Sequence, residues 1–238
     1  MKKYYLSILF FLLTPFFLYS QEDNKTNVTS ANLGVDLVNR YVWRGLSFSP
    51  HPNIQPYLSI NYNGFTLGGW ASYASTGQYA EIDFYLSYTK KNFTLSINDY
   101  YTENELDLAE IDHFNWNNQK TNHALEISMD YTLSNSVPLS FKAATFIYGN
   151  DKDEKGDNYY STYLELSYPF SIKKTDFKIF AGGTPFEGLY STGASLTNIG
   201  LSTSKEVKLS ESYSIPLSLS IISNPKVENI FMLISISI

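Results

Sequence analysis

The chain has no cysteine and only three histidines, His51, His113 and His123. Without thiols there can be no disulfide, no thiolate nucleophile and no thiolate metal site, and the absence suits export through an oxidising compartment. Glycine-rich phosphate loops, zinc-ligand spacings and dinucleotide fingerprints are also missing. So are the long runs of Ala, Leu, Glu and Lys that build helices. Beyond the N-terminus no apolar run is long enough for a membrane helix, and mean hydropathy is −0.20. Lys and Arg number 17 against 23 Asp and Glu, a formal charge of −6 that disfavours nucleic-acid binding.

What the chain does contain is aromatic: 20 Tyr and 16 Phe in 238 residues, with much Ser and Thr. Tyr, Phe and Thr are strand formers, and the length fits one large all-β domain. At the N-terminus, Lys2-Lys3, an apolar core from Leu6 to Leu18 and Ser20 before Gln21 read as a secretory signal over 1–20. Its removal would bring the charge from −6 to −8. Residues 21–30 are a polar periplasmic lead-in, and 31–238 are expected to form the folded domain.

Tyr79 to Tyr101 shows the organising unit. Ala80, Ile82, Phe84, Leu86 and Tyr88 share one face, and Glu81, Asp83, Tyr85 and Ser87 the other. Thr89-Lys90-Lys91-Asn92 reverses the chain, and Phe93, Leu95 and Ile97 resume the apolar face. Two amphipathic strands, a short turn and flanking aromatics are one hairpin of a transmembrane barrel. Asn63-Gly64 is another turn of this kind. Twelve such strands are expected, in an up-and-down antiparallel meander. The first runs over 31–44 with Tyr41 and Trp43 outward, and the tenth, about 195–205, is weakly marked because it is rich in Gly and Ser. Connections alternate between short and long, which separates a periplasmic from an outer end. Tyr62, Phe65, Tyr88, Phe93, Tyr131, Tyr168 and Phe177 flank the short ones as an aromatic girdle. The composition and this pattern place the protein in the outer membrane of a Gram-negative bacterium.

Asn39-Arg40-Tyr41-Val42-Trp43-Arg44-Gly45, the following Pro-containing loop and Ile54-Gln55-Pro56 resemble the opening of the TorF-type porin family. Further matching pieces are Phe146 to Asp153, Tyr160-Ser161-Thr162-Tyr163 and Ser204-Lys205-Glu206. The sequence departs at Asn39, where Ser is usual. The resemblance implies an outer-membrane barrel and brings no substrate and no catalytic residues.

The chemistry expected of the inner face comes from its charges: Asp36, Arg40 and Arg44 from the first strand, Glu81, Asp83, Glu126, Asp130 and Glu165, and the cations Lys142 and Lys178. Opposed charged rows across a lumen set ion preference. The reading preferred is passive passage of small hydrophilic solutes or ions; the alternative is that the same residues pair and plug a narrow barrel, with inward Tyr57, Trp70, Tyr85, Phe146, Tyr148, Tyr163 and Phe180 narrowing it further. A loop-mediated binder is a third class. A lipid hydrolase needs a Ser–His pair on the outer wall, and alternation puts Ser128 on the face opposite His123. His113, Asp112 and Glu110 lie in an acidic loop, where solvation rather than metal binding is the ordinary state. No metal or cofactor is implied; the expected partners are outer-membrane lipid and small hydrophilic solutes or ions, with no nucleic acid.

Overall fold

A computed structural model describes residues 29–238 apart from 108, 110, 174 and 212. The expected signal and all but the end of the lead-in therefore lie outside the described residues. Twelve strands close into an antiparallel barrel: β1 (Ser30–Val38), β4 (Asn53–Tyr62), β5 (Phe65–Ala74), β6 (Ala80–Lys90), β7 (Phe93–Glu103), β8 (His123–Thr132), β9 (Ser140–Gly149), β10 (Thr162–Ile172), β11 (Thr175–Thr184), β14 (Ser195–Lys208), β15 (Ser214–Asn224) and β16 (Asn229–Ser237). Each pairs with its sequence neighbour, and β1 closes the ring on β16 through Asp36↔Ser237, Leu37↔Ile236 and Val38↔Ser235. Asn39 extends this seam: its amide donates to the Met232 carbonyl at 3.1 Å and accepts the Ile234 N–H at 2.9 Å. The residue at which the chain departs from the TorF-type pattern thus stitches the first strand to the last.

Alternation decides the two faces. Leu58, Ile60, Leu67, Phe84, Leu86, Leu95, Ile221 and Met232 are all exposed on the outer wall. Gln55, Ser59, Glu81, Asp83, Glu126 and Ser128 are buried inside. Tyr62, Phe65, Tyr88, Phe93, Tyr131 and Tyr168 are exposed beside the short turns, with the Phe65 and Tyr88 rings 4.6 Å apart. Both described ends of the chain lie at this short-turn end, because the strand number is even. The opposite end carries the longer connections 39–52, 104–122, 150–161 and 185–194.

The first strand is shorter than its sequence pattern. It stops at Val38, opposite Asn53 of β4, and the chain then turns into the barrel as a two-stranded hairpin. Its arms are β2 (Tyr41–Trp43) and β3 (Leu46–Ser49). Tyr41 and Trp43 are therefore not on the outer wall. Period-two alternation continues across the bend at Asn39-Arg40, but the ladder that would give it an outward side does not. A second small hairpin, β12 (Glu187–Gly188) with β13 (Ser191–Thr192), lies in the loop after β11.

Two irregularities re-aim side chains. In the β8–β9 pairing, Leu125 faces Tyr148 while Glu126 faces Phe146, so Ile147 is an extra residue. A bulge of one residue reverses the face of the residues beyond it. Phe146 points inward as expected, but Tyr148 points outward, where its hydroxyl donates to the Trp116 carbonyl. In the β11–β14 pairing, Gly182 faces Asn198 and Gly183 faces Leu196, which leaves Thr197 as the extra residue. The tenth barrel strand, β14, is longer than its composition indicates: it pairs with β15 from Ile199 to Lys208, and Gly200 lies under the Phe180 ring.

Candidate functional site: a hairpin across the lumen

Arg44 and Gly45 form the hairpin tip with φ of 52° and 81°. Positive φ at both central residues is the two-residue turn that matches strand twist, and Gly suits its second position. The tip turns into the lumen and its backbone meets the wall at β15 and β14, two and three strands round the ring from β1. The Gly45 carbonyl accepts a hydrogen bond of 3.0 Å from the Asn224 amide, and the Arg44 carbonyl accepts the Thr197 hydroxyl at 3.4 Å. A Cβ on Gly45 would overlap the Thr197 carbonyl oxygen, so the bulge at Thr197 and the glycine together let the two backbones touch.

The side chains of the hairpin fill the remaining cross-section. Tyr41 packs on Trp70 and Tyr79 at centroid distances of 5.4 and 6.0 Å. Trp43 meets Tyr100 at 5.4 Å, Tyr190 at 5.9 Å and Phe146 at 6.4 Å. Val42 packs on the buried cluster of Phe180, Ile222 and Phe231. Arg44 closes the middle: its Nη1 and Nη2 donate to the two Glu126 oxygens at 2.5 and 2.9 Å, and Nη1 also donates to the Tyr190 hydroxyl at 2.6 Å. Its guanidinium lies 4.1 Å from the Trp43 ring and 4.8 Å from that of Tyr163. Glu126 is wholly buried and also accepts the Tyr100 hydroxyl at 3.0 Å. A buried charge pair persists only when its remaining lone pairs are met in this way.

Above and below the hairpin the lumen divides. Toward the long-loop end is a cavity of about 150 Å³ lined by Trp43, Phe48, Glu81, Tyr100 and Asp151 among others. Toward the short-turn end is a polar cavity of about 310 Å³, roofed by Trp43 and Arg44 and walled by Asn98, Glu126, Asp130, Lys142, Glu165 and Asn198.

The residues expected to line a pore sort into distinct settings. Arg44 is inside, but on the hairpin rather than on a wall strand, and Glu126 neutralises it. Arg40 sits at the base of the hairpin with its guanidinium 5.9 Å from the Phe231 ring, and its Nε has no hydrogen-bond partner among the described residues. Asp36 lies opposite Gln55 and Ser237 at the seam. Glu81 accepts the Tyr79 hydroxyl, and neighbouring Asp83 keeps a buried Oδ1 with no hydrogen-bond partner among the described residues. Lys142 and Asp130 pair at 2.8 Å on a partly exposed stretch of wall. Lys178 lies 5.7 Å from the Phe180 ring. The inner face is therefore not two opposed rows of free charge.

Sequence reasoning missed Trp43, Tyr100, Tyr190, Thr197 and Asn224 as parts of this site. One signal was present: Gly45 between the short alternating runs Tyr41–Trp43 and Leu46–Ser49 is a hairpin pattern.

Outside the wall, residues of the 104–122 connection fold against the barrel. Trp116 stacks on His123 at 3.9 Å and 11°, and His113 lies over Tyr101 at 4.0 Å. His123 Nδ1 pairs with Asp99 at 2.9 Å, and its Nε2 meets the His113 carbonyl at 3.1 Å. Both ring nitrogens are thus occupied without a serine hydroxyl.

Residues 21–212 match the model of a family described as bacterial proteins of unknown function, Gcw_chp. The chain belongs to this family. No curated protein matches it. Among solved structures, a KdgM porin is similar over 87% of this chain and 96% of its own, at 9% identity and a TM-score of 0.46. A triple mutant of Rhodopseudomonas blastica porin is similar over 88% of this chain and 99% of its own, at 12% identity and a TM-score of 0.36. These are remote likenesses in shape; the barrel in this Gcw_chp member stands on its own strand pairing.

Proposed function

We propose that this Gcw_chp member is an outer-membrane barrel through which small hydrophilic solutes or ions pass by diffusion, constricted by the β2–β3 hairpin. The observation that carries this reading is an apolar outer wall around a polar lumen that is crossed by one hairpin and not filled by the wall itself. An apolar band with aromatics beside short turns is the form of a membrane-spanning barrel, and twelve strands lie between barrels packed solid and those enclosing open water. The resemblance to TorF-type porins supports the same reading. The hairpin is dispensable to closure, because β1 and β4 pair up to Val38↔Asn53 without it. Three buried polar atoms near it, Arg40 Nε, Asp83 Oδ1 and Asn198 Oδ1, have no hydrogen-bond partner among the described residues. A buried polar atom left without a partner costs about 1–3 kcal/mol.

The test compares the refolded mature protein with a variant in which residues 40–51 are replaced by a short Gly-Ser linker, in planar bilayers under a salt gradient. Small or brief current steps from the first and large steady ones from the second are expected. If the hairpin-less barrel is folded, as read by heat-modifiable gel mobility, and still passes no current, the channel reading fails. A second reading, a barrel sealed permanently by the hairpin, is favoured by the doubly bonded Arg44–Glu126 pair; it predicts silence from the intact protein under all voltages.

A further inference from the structure

The polar cavity under the hairpin has an uneven supply of hydrogen-bonding groups. Arg44 spends its guanidinium on Glu126 and Tyr190. Asn98 Nδ2 goes to Ser128 at 3.2 Å, and the Tyr100 hydroxyl goes to Glu126. Lys142 Nζ is turned to Asp130, although Lys142 stands opposite Glu165 in the β9–β10 register. Glu165 then has neutral donors only. The Tyr163 hydroxyl at 2.6 Å and Asn198 Nδ2 at 3.1 Å both reach the same oxygen, Oε2. Tyr163 is itself held by Asn198 Nδ2 at 2.8 Å, so the three groups form a closed set. Two acceptors are left over in it: Glu165 Oε1, with no hydrogen bond or ion pair among the described residues, and Asn198 Oδ1, on a side chain 6% exposed. Across the cavity lining, the three carboxylates of Glu126, Asp130 and Glu165 face the two cations Arg44 and Lys142.

A pocket with spare acceptors, a surplus negative charge and both of its cations turned to carboxylates suits a ligand that brings donors and a positive charge. The roof adds to this, since the Trp43 and Tyr163 rings already hold one guanidinium, that of Arg44. We propose that this cavity binds the ammonium or guanidinium group of a small cationic solute, with the Glu165 carboxylate as its anchor and Asn198 and Tyr163 as the groups that orient that carboxylate. The proposal deepens the channel reading and rests on it for the route by which a solute enters.

Trp43 reports on the cavity that it roofs. In the full mature chain carrying Trp70→Phe and Trp116→Phe it is the sole tryptophan left of three. This protein, refolded in detergent micelles at constant ionic strength, would be titrated with methylammonium, guanidinium, tetramethylammonium and potassium. Saturable changes in Trp43 emission are expected for methylammonium and guanidinium, at least about tenfold tighter than for tetramethylammonium or potassium. Glu165→Gln, which keeps the shape and an acceptor for Tyr163, should weaken binding by about tenfold or more. Asn198→Ala should weaken it less. Equal affinity for tetramethylammonium or potassium would reduce the effect to unspecific charge attraction and overturn the site, as would an unchanged affinity in Glu165→Gln or no saturation at all. The titration does not depend on conductance. A barrel that binds and passes no current loses the channel reading alone, and one that conducts without binding loses only this site.

Discussion

Arg44 and Glu126 lie 82 positions apart in the chain and meet in the middle of the lumen through two roughly parallel hydrogen bonds of 2.5 and 2.9 Å. The pair ties the hairpin tip to β8. Arg44→Ala would leave a wholly buried carboxylate without its counter-charge, a loss of about 3–5 kcal/mol in breaking such a pair. The hairpin is the element free to move, so the expected result is undocking with a raised single-channel conductance and the barrel still closed. The double replacement Arg44→Met with Glu126→Leu removes both charges and should recover most of the docking, which a conductance close to that of the unaltered protein would show.

Gly45 and Gly149 present the same steric problem in two places. Both have positive φ, 81° and 92°, and a Cβ on either would overlap a carbonyl oxygen, of Thr197 and of His123 respectively. Ala at each should cost at least about 1–3 kcal/mol for the backbone conformation alone. Gly45→Ala should act on the hairpin, changing conductance with little change in the urea midpoint of the barrel. Gly149→Ala sits in the β8–β9 wall and should lower that midpoint.

The two faces of β6 give a direct check of the wall. Leu86 is on the exposed apolar side between Leu67 and Ile97, whereas Ser87 faces inward between Thr66 and Ser96. Leu86→Arg, one outward position in from the girdle residue Tyr88, should destabilise the barrel in lipid vesicles by more than about 1 kcal/mol, between the figures for a cation at the interface and at the hydrocarbon midplane. Ser87→Arg should change stability by less than about 0.5 kcal/mol and shift ion preference instead. Equal destabilisation by both would contradict the assignment of inside and outside.

The outer flap should loosen independently of the barrel. The stack of Trp116 on His123 is worth about 0.5–1.5 kcal/mol, and the Asn118 side chain adds a hydrogen bond of 3.0 Å from the Gly149 N–H. Trp116→Ala is expected to speed proteolysis within 104–122 by a few-fold to about tenfold, with no change in heat-modifiable mobility.

Acid should loosen the 150–161 connection at its turn. Backbone N–H groups of Asp157 and Lys155 donate to the Asp153 carboxylate and hold its pKa below the ordinary value of 3.8. A pKa lowered by folding means that the ionised form supports the turn. That support is complete above pH 3.8 and is lost as pH falls through the depressed value. The backbone amide resonances of Lys155 and Asp157 should move over this acid range, and Asp153→Asn should abolish the movement.

Alternation of Leu, Ile, Phe and Tyr with Ser, Thr, Asn and acidic residues determined the strands, their inner and outer faces and the short-turn end. This information is local: a residue two places along a strand shares its neighbour's face whatever the rest of the chain does. The same rule placed Glu81, Asp83, Glu126, Asp130, Lys142, Glu165 and Lys178 on the inner face, where the structure has them. It misplaced Tyr148 because the extra residue at Ile147 is a property of two strands together. It undervalued β14 because Phe180 and the ladders of β11 and β15 supply what a run of Gly and Ser lacks.

The tertiary structure alone decided the fate of residues 39–52. In sequence, Tyr41 and Trp43 continue the alternation of β1, and the local signals against it, Asn39 on the apolar face and the hairpin pattern around Gly45, do not say where such a hairpin would dock. In the folded chain the β1–β16 ladder stops at Val38, Asn39 caps it, β14 and β15 offer a Thr197 bulge and an Asn224 amide, and β8 on the other side of the lumen offers a buried Glu126. Those groups come from strands 80 to 180 residues away, on the order of the whole barrel's span. Their desolvated charge and backbone groups have to be met by something inside the lumen, and Arg44 and Gly45 are the residues within reach that meet them.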